Sequence, residues 1–310
     1  MSDMTIEPIL DRSIAALQGL AIGDALGAPV EGRPRDSYPR MRDFASDGTH
    51  DLRAGEWTDD TAMAICLADS LLARGGVDER DLLGRFLRWY RLGENSSGGR
   101  AVGISGKTRR TLEIFERTGR LDAAREVENA GNGCIMRLVP VAIFYHRTPD
   151  AARSAAARQA LVTHGADEAV AATRLLADML VAALGTGDVA AAIAAGAAAT
   201  HPALASIARG DYRSKGRAAI SSAPRALDTL EAALWCLCRA GDFEAAVTEA
   251  VDLGGDTDTI GAVTGQLAGA VFGTASIPRR WIDGLHGAAR LADLARELHA
   301  WAPDSTMSNL

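Results

Sequence analysis

Apolar residues recur at helical spacing through almost all of this 310-residue chain, and that periodicity predicts an all-α fold. Two further observations agree: no stretch carries the alternation of a strand, and the linkers between periodic segments are short and punctuated by Gly, Asp or Pro. The first expected helix spans 12–27 and carries a row of glycines. A second, over 61–74, follows Trp57-Thr58-Asp59-Asp60-Thr61, and segments 79–91, 107–118, 139–145, 149–163 and 168–185 continue the helical period. The next, 190–199, is Ala-rich, and because alanine is the best helix former it reads as a packed helix rather than a disordered tract. Helices over 223–240 and 243–253 lead into Gly254-Gly255-Asp256-Thr257-Asp258-Thr259, after which 260–272 and 278–300 complete the chain. No long Ser-, Pro- or Gly-rich stretch divides the sequence, so residues 1–310 are expected to form one domain with its core over about 12–300.

With 47% hydrophobic residues the chain has ample material for a buried core. A net charge of −7 argues against general nucleic-acid binding, which needs a clustered basic surface to neutralise phosphate. The four cysteines, Cys66, Cys134, Cys236 and Cys238, lack metal-ligand spacing, which points to a reducing, cytoplasmic setting. The N-terminus has no basic segment leading into an apolar stretch, and charges interrupt the long apolar runs. Neither a secretory signal nor a membrane span is therefore expected, and the chain reads as a monomer.

Glycines supply an organising clue. Gly19, Gly23 and Gly27 recur every four residues, as do Gly261, Gly265 and Gly269, with Gly273 continuing the second row. Glycine inside a helix costs about 1 kcal/mol relative to alanine, so a repeated stripe implies another backbone close enough to exclude a side chain. The two striped helices are expected to cross at close range. That crossing would bring Asp24 and Glu31 near Asp256 and Asp258.

Two helix starts carry more acid than a cap requires: Thr58-Asp59-Asp60 and Asp256-Thr257-Asp258-Thr259. Their carboxylates and hydroxyls are hard oxygen donors, suited to Mg²⁺, Mn²⁺ or Ca²⁺ rather than zinc or copper. For either start alone the alternative is an ordinary N-cap, with acids at the positive end of the helix dipole. Two near-copies in one chain favour metal, and two starts that meet in the fold make a binuclear site.

The motifs Gly23-Asp24-Ala25-Leu26-Gly27-Ala28-Pro29-Val30-Glu31, Trp57-Thr58-Asp59-Asp60-Thr61, Gly131-Asn132-Gly133-Cys134-Ile135-Met136-Arg137, Thr163-His164 and Gly254-Gly255-Asp256-Thr257-Asp258-Thr259-Ile260-Gly261 resemble, in order, those of the ADP-ribosylglycohydrolases. The likeness is strongest to the bacterial branch that includes the dinitrogenase-reductase-activating glycohydrolase. It implies a compact orthogonal multi-helix bundle with a central binuclear metal cleft, two divalent cations (Mg²⁺ or Mn²⁺), and hydrolysis of the bond joining ADP-ribose to an acceptor. The implied partner is an ADP-ribosylated protein or a small ADP-ribose conjugate.

Carried over by position, the resemblance implies that Thr58, Asp59, Asp60, Asp256, Asp258 and Thr259 are metal ligands, with Asp60 and Asp258 acting catalytically through the ions. Glu31 corresponds to a mobile acid that sits at the metals or activates water. Gly103, Ser105, Gly106, Asn132 and Gly133 correspond to the walls of the ADP-ribose cleft, and His164 to a residue near the ribose or adenine. The glycine loops Ser96-Ser97-Gly98-Gly99, Gly103-Ile104-Ser105-Gly106 and Gly131-Asn132-Gly133 can each present consecutive backbone N–H groups to a diphosphate, although such segments are also ordinary turns. Arg137 is a candidate partner for cleft carboxylates, and Trp57 reads as core or cleft wall.

One departure stands out: many bacterial relatives carry Asp-Ile-Gly where this chain has Gly103-Ile104-Ser105. The absent carboxylate would favour a guanidinium, so the acceptor is less constrained than the metal set. Arginine leads by analogy, with serine, a nucleic-acid end or a small conjugate as alternatives. Two other classes compete: a non-catalytic ADP-ribose-binding relative, and a two-metal phosphohydrolase. Retention of every acid argues against the former, since buried carboxylates without an ion repel one another. The lack of His beside the Asp motifs argues against the latter.

Overall fold

The computed structural model describes residues 7–46, 48–125, 130–197 and 201–303. Among them the regular structure is helical: α1 (Pro8–Gly27), α2 (Asp59–Arg74), α3 (Glu79–Leu92), α4 (Gly106–Thr118), α5 (Val139–Phe144), α6 (Pro149–Leu161), α7 (Asp167–Thr186), α8 (Val189–Gly196), α9 (Ala205–Arg209), α10 (Ala226–Arg239), α11 (Phe243–Val251), α12 (Thr257–Phe272), α13 (Arg279–Gly284) and α14 (Ala288–Ala300). No strand occurs among the described residues, whose one β-type pairing is an isolated bridge between Gly131 and Arg225.

The centre of the bundle is the pair α1 and α12. Every residue from Ser13 to Gly27 and from Thr257 to Val271 is buried. A helix apolar on all sides belongs inside a core rather than at its surface, and these two are surrounded by α2, α5, α7, α10, α11 and α14. The glycine stripes face each other. A Cβ placed on Gly19 would meet the Gly265 carbonyl, one on Gly23 the Gly261 carbonyl, and one on Gly27 the Cα of Asp258 at 2.5 Å. The pairing descends one helix as it climbs the other, so the helices run antiparallel with their backbones in contact. The end of α1 is thereby fixed beside the start of α12, where the Thr257 hydroxyl donates to the Gly27 carbonyl at 2.8 Å. Gly273 continues the row at the end of α12, where a Cβ would meet the Asp11 carboxylate of α1.

Several expected elements shift. The single helix expected over 278–300 is two, α13 and α14, because the Leu285–Gly287 turn is held from outside by the His286 N–H donating to the Gly55 carbonyl at 3.0 Å, and Gly287 takes φ 63°. Helix α10 begins at Ala226 rather than 223, since Ala226 N–H donates to the Ala130 carbonyl at 3.1 Å and Arg225 pairs with Gly131. The short α9 has no counterpart in the sequence reading, and residues 198–199 of the expected Ala-rich helix lie outside the described residues. Two segments do prove long and apolar enough to cross a membrane, Pro8–Val30 and Asp167–Thr186, contrary to the sequence expectation. Of their most apolar windows 94% and 61% is buried inside the protein, so the core takes up most of that apolar surface.

Candidate active site

The two acidic helix starts meet. The start of α2 is organised by a residue of another helix: Asp24, fully buried near the end of α1, accepts through one oxygen from the Thr58 N–H and hydroxyl, and through the other from the Thr61 N–H at 3.0 Å and hydroxyl at 2.7 Å. Helix starts leave N–H groups without intrahelical partners, and a side chain at the N-cap normally takes them. Here Asp24 does so from a distance, and Thr58 occupies the N-cap position with no side-chain cap of its own. Asp59 and Asp60 are left free of capping. The plain N-cap alternative therefore does not describe this start.

The Thr58 hydroxyl oxygen lies 3.2 Å from an Asp60 carboxylate oxygen and 3.5 Å from one of Asp258. Asp258 Oδ1 accepts from the Thr259 N–H at 2.9 Å, and Asp256 is bonded by the side-chain amide of Asn132. Glu31 follows the turn of residues Ala28–Val30, and its loop is pinned to the approach to α12: Gly32 N–H donates to the Gly255 carbonyl at 2.7 Å and Gly255 N–H to the Arg33 carbonyl at 2.9 Å. Its carboxylate contacts His50 Nε2. Two overlapping sets of donor atoms result, each within 4.8 Å of one another: Asp24, Asp60 and Asp258, and Glu31, His50 and Asp258.

The electrostatics are those of crowded acid. Burial, reinforced by the neighbouring carboxylates, pushes Asp59, Asp60 and Asp258 well above the usual carboxylate range. Burial also raises Asp256, to about 6, against the lowering effect of its bond from Asn132. Burial raises Asp24 as well, and the four donors from Thr61 and Thr58 oppose it. Among the described residues no lysine or arginine forms an ion pair with Asp24, Glu31, Asp59, Asp60, Asp256 or Asp258. Asp60 Oδ1 is buried with no hydrogen-bond partner, a costly arrangement unless a cation completes it.

The cluster opens on a cleft of about 730 Å³. Glu31, Asp59, Asp256, Asp258 and Thr259 line its floor, with Thr58 and Asp60 buried behind. Gly103, Ser105, Gly106, Asn132, Gly133 and His164 all reach its wall, together with Lys107, Thr108, Met136 and Arg225. Ser105 caps α4 by accepting from the Thr108 N–H at 3.2 Å, so the positive end of that helix faces the cleft. The Asn132 amide is engaged, donating to the Thr229 hydroxyl at 2.8 Å and to Asp256, so it secures a carboxylate rather than standing free for a ligand. The Ser96–Gly99 loop is no part of the wall: Ser97 Oγ bonds the N–H and carbonyl of Trp57 and braces the approach to α2. Trp57 itself is buried, edge-on to His286.

Gly103 has φ 87°, and a Cβ built on it would point at the Asp59 carboxylate, 3.1 Å from its Cγ. The position is directed at the acid cluster. Arg137 also differs from expectation: fully buried over the Phe86 ring, it donates to Gln159 and to the Thr163 hydroxyl at 2.8 Å and pairs with no cleft carboxylate. Thr163 in turn bonds His164 Nδ1 at 2.8 Å, and burial, helped by Arg137, holds the imidazole well below its usual pKa. His164 is thus a neutral ring beside Gly133 in the cleft wall. Sequence reasoning assigned no role to His50 or Thr61 and left Asp24 as a neighbour of the site. An acid inside an otherwise apolar, glycine-striped helix was the available signal for Asp24.

Comparison with known proteins accords with this architecture. The ADP-ribosylarginine hydrolase Tri1 of Pseudomonas putida is 40% identical over 301 residues, covering 97% of this chain and 81% of that protein. The ADP-ribosyl-[dinitrogen reductase] glycohydrolase of Rhodospirillum rubrum is 31% identical over 286 residues, covering 91% of this chain and 92% of that protein. A solved structure described as an ADP-ribosylglycohydrolase-related protein complex superposes with a TM-score of 0.85 at 42% identity, covering 96% of this chain. The family profile spans residues 5–305, and with both acidic helix starts and the helical core accounted for, the chain belongs to the ADP-ribosylglycohydrolase family.

Proposed function

We propose that this protein removes ADP-ribose from modified arginine side chains of a protein, releasing free ADP-ribose, and that it requires two divalent cations, Mg²⁺ or Mn²⁺. The observation that carries the reading is the convergence of Glu31, Asp59, Asp256 and Asp258 at the floor of one cleft with Asp24 and Asp60 buried directly behind them, none paired with a lysine or arginine among the described residues. The unpartnered Asp60 oxygen and the all-oxygen donors of the two helix starts fit hard cations. The sharing of Asp258 between two donor sets favours two ions over one. Arginine as acceptor follows the names of the relatives.

Thr58, Asp59, Asp60, Asp256, Asp258 and Thr259 would hold the ions, which would supply Lewis acidity to a water and to the ribose hydroxyls. Glu31, at the cleft edge of the cluster, takes a proton from the attacking water. The carboxylate field stabilises the positive charge that develops at the sugar carbon as the glycosidic bond breaks. The α4 start, with Lys107 beside it, orients the diphosphate. The chain works as one domain and as a monomer in the cytoplasm, a setting supported by four unpaired cysteines.

The test is to incubate the protein with ADP-ribosylated arginine and serine peptides, with and without chelator, and identify products by mass. Free ADP-ribose and unmodified arginine, lost on chelation, is the expected result. Faster release from serine would overturn the acceptor. AMP or phosphate would make the protein a phosphohydrolase, and tight ADP-ribose binding without turnover a binding relative.

A further inference from the structure

We infer that Arg35 is a positioning residue of the metal centre, the side chain that fastens the loop of Glu31 to the approach of Asp256. The inference rests on the metal reading above and concerns how two acids of that centre are kept in register. Arg35 lies four residues past Glu31, outside every motif of the sequence reading. Its half-buried side chain forms no ion pair with a carboxylate among the described residues. It donates instead to three backbone carbonyls of two distant segments: through Nε to Leu253 at 2.7 Å, through one terminal nitrogen to Ile220 at 2.7 Å, and through the other to Arg217.

Those two segments set the place of Asp256. Leu253 immediately precedes Gly254-Gly255, and the Asp256 N–H donates at 3.1 Å to the carbonyl of Ser222, two residues past Ile220. Both glycines take φ 70°. A Cβ on Gly254 would lie 2.5 Å from the Arg35 backbone nitrogen, and one on Gly255 would lie 2.6 Å from the Ser222 carbonyl oxygen. So close an approach bars side chains from the turn, which must be braced from outside. The paired bonds of Gly32 and Gly255 with Gly255 and Arg33 join the Glu31 loop to the same turn. With the Arg35 guanidinium closing the far side, the loop, the turn and residues 217–222 form one unit, with Glu31 on one part of it and Asp256 on another.

The task suits a guanidinium. Its planar fork directs donors several ways at once, whereas a lysine ammonium offers its donors from one point and cannot reach three carbonyls at three chain positions. Removing a partner that stands one step behind metal ligands typically costs 10–100-fold in metal affinity. The competing role is general stabilisation of the bundle without influence on the site. Asp11 provides the comparison: it ties the start of α1 to the end of α12 by accepting from the Thr274 N–H at 3.1 Å and from its hydroxyl, at the opposite end of α12 from Asp256.

The experiment is calorimetric titration of Mn²⁺ into the full chain as wild type, Arg35→Ala, Arg35→Lys and Asp11→Ala, well below each melting temperature, with amide hydrogen exchange on the metal-free proteins. Both Arg35 variants are expected to bind Mn²⁺ about tenfold or more weakly and to exchange the Gly32 and Gly255 N–H groups faster. Asp11→Ala is expected to lower the melting temperature while keeping wild-type affinity and wild-type exchange at those two glycines. Unchanged Mn²⁺ affinity in a folded Arg35→Ala overturns the inference and leaves the metal centre intact. So does an equal loss of affinity in Asp11→Ala, which would make the Arg35 effect one of general stability. If Arg35→Ala fails to fold, Arg35→Lys decides, and full affinity there overturns the inference. Absence of any Mn²⁺ binding to wild type overturns the metal centre and this inference with it.

Discussion

One oxygen of the Asp24 carboxylate accepts two hydrogen bonds from Thr58, from its N–H at 3.0 Å and from its hydroxyl at 2.9 Å. An acid of one helix thus performs the capping of another, and the acids that follow Thr58 are released from that task. Asp24 and Asp60 are both buried aspartates in one cluster, yet they carry opposite consequences for stability.

Asp24→Ala strands three donors in the interior, the N–H groups of Thr58 and Thr61 and the Thr61 hydroxyl, while the Thr58 hydroxyl keeps Asp60. Each buried unsatisfied group costs about 1–3 kcal/mol, so the metal-free variant is expected to lose several kcal/mol in chemical denaturation. Asp60→Asn is expected to do the reverse. It removes a desolvated charge that its neighbours repel, so the melting temperature in chelator rises while the stabilisation by added Mn²⁺ disappears. A metal-free Asp60→Asn protein less stable than wild type contradicts the crowding argument.

Gly265→Ala tests the crossing. Alanine improves helix propensity by about 1 kcal/mol, but its Cβ would run into the Gly19 backbone, which has no side chain to move aside. Overpacking of this kind costs about 1–3 kcal/mol, and the displaced α12 start carries Asp258 with it. Reduced stability together with weaker Mn²⁺ binding, measured by calorimetry, is expected; unchanged values of both would exclude close helix contact.

The metal-free protein is expected to lose stability as pH rises. Asp256 titrates near 6 when folded against an ordinary value of 3.8, so the folded state binds more protons in that interval. Its contribution is fully present below about 4 and is lost as pH climbs through 6. Asp59, Asp60 and Asp258, raised by the same burial, extend the decline upward. Melting temperatures in chelator from pH 5 to 8 should fall, and Asp256→Asn should flatten the slope near 6. A rising curve refutes the account.

Gly103→Asp is expected to weaken metal binding and not to favour arginine. The residue would have to adopt φ near 87° and aim a new carboxylate at Asp59. Titration with Mn²⁺ and the arginine-to-serine ratio of kcat/KM distinguish the outcomes: improved arginine turnover at full metal content would restore an acceptor role for this position.

For His164, the relay from Arg137 through Thr163 leaves Nε2 as the ring nitrogen free to meet a ligand in the cleft. His164→Ala is expected to raise KM for an ADP-ribosylated peptide about tenfold, the worth of one hydrogen bond of ~1.4 kcal/mol, with the kcat little changed. A fall in kcat alone would assign the ring to chemistry instead.

The glycine stripes were legible because a missing side chain leaves a mark in the sequence itself, and their spacing maps directly onto the contact of Gly19 with Gly265 and Gly23 with Gly261. The acidic starts were legible for a similar reason: too much charge for the local task. What escaped depends on partners distant along the chain. Asp24 meets Thr58 and Thr61 across 34 and 37 positions, and nothing local to Thr58 announces a cap supplied from there. The break between α13 and α14 depends on the Gly55 carbonyl, and the helical period of the segment runs straight through it. Asn132 looked like part of an anion nest because a turn sequence does not reveal that its amide is already committed to Asp256.

The pairing of α1 with α12 also sets a clock. The two helices lie at opposite ends of the sequence, and at a synthesis rate of 5–20 residues per second the second follows the first by roughly 10–50 s. Until then the newly made α1 has no groove to receive its glycine face, and an apolar segment remains open to other chains. Neither acidic helix start can find the other in that interval. Translation pauses or chaperones that shelter the first helix should therefore govern the yield of this protein more than the strength of any contact within the cleft.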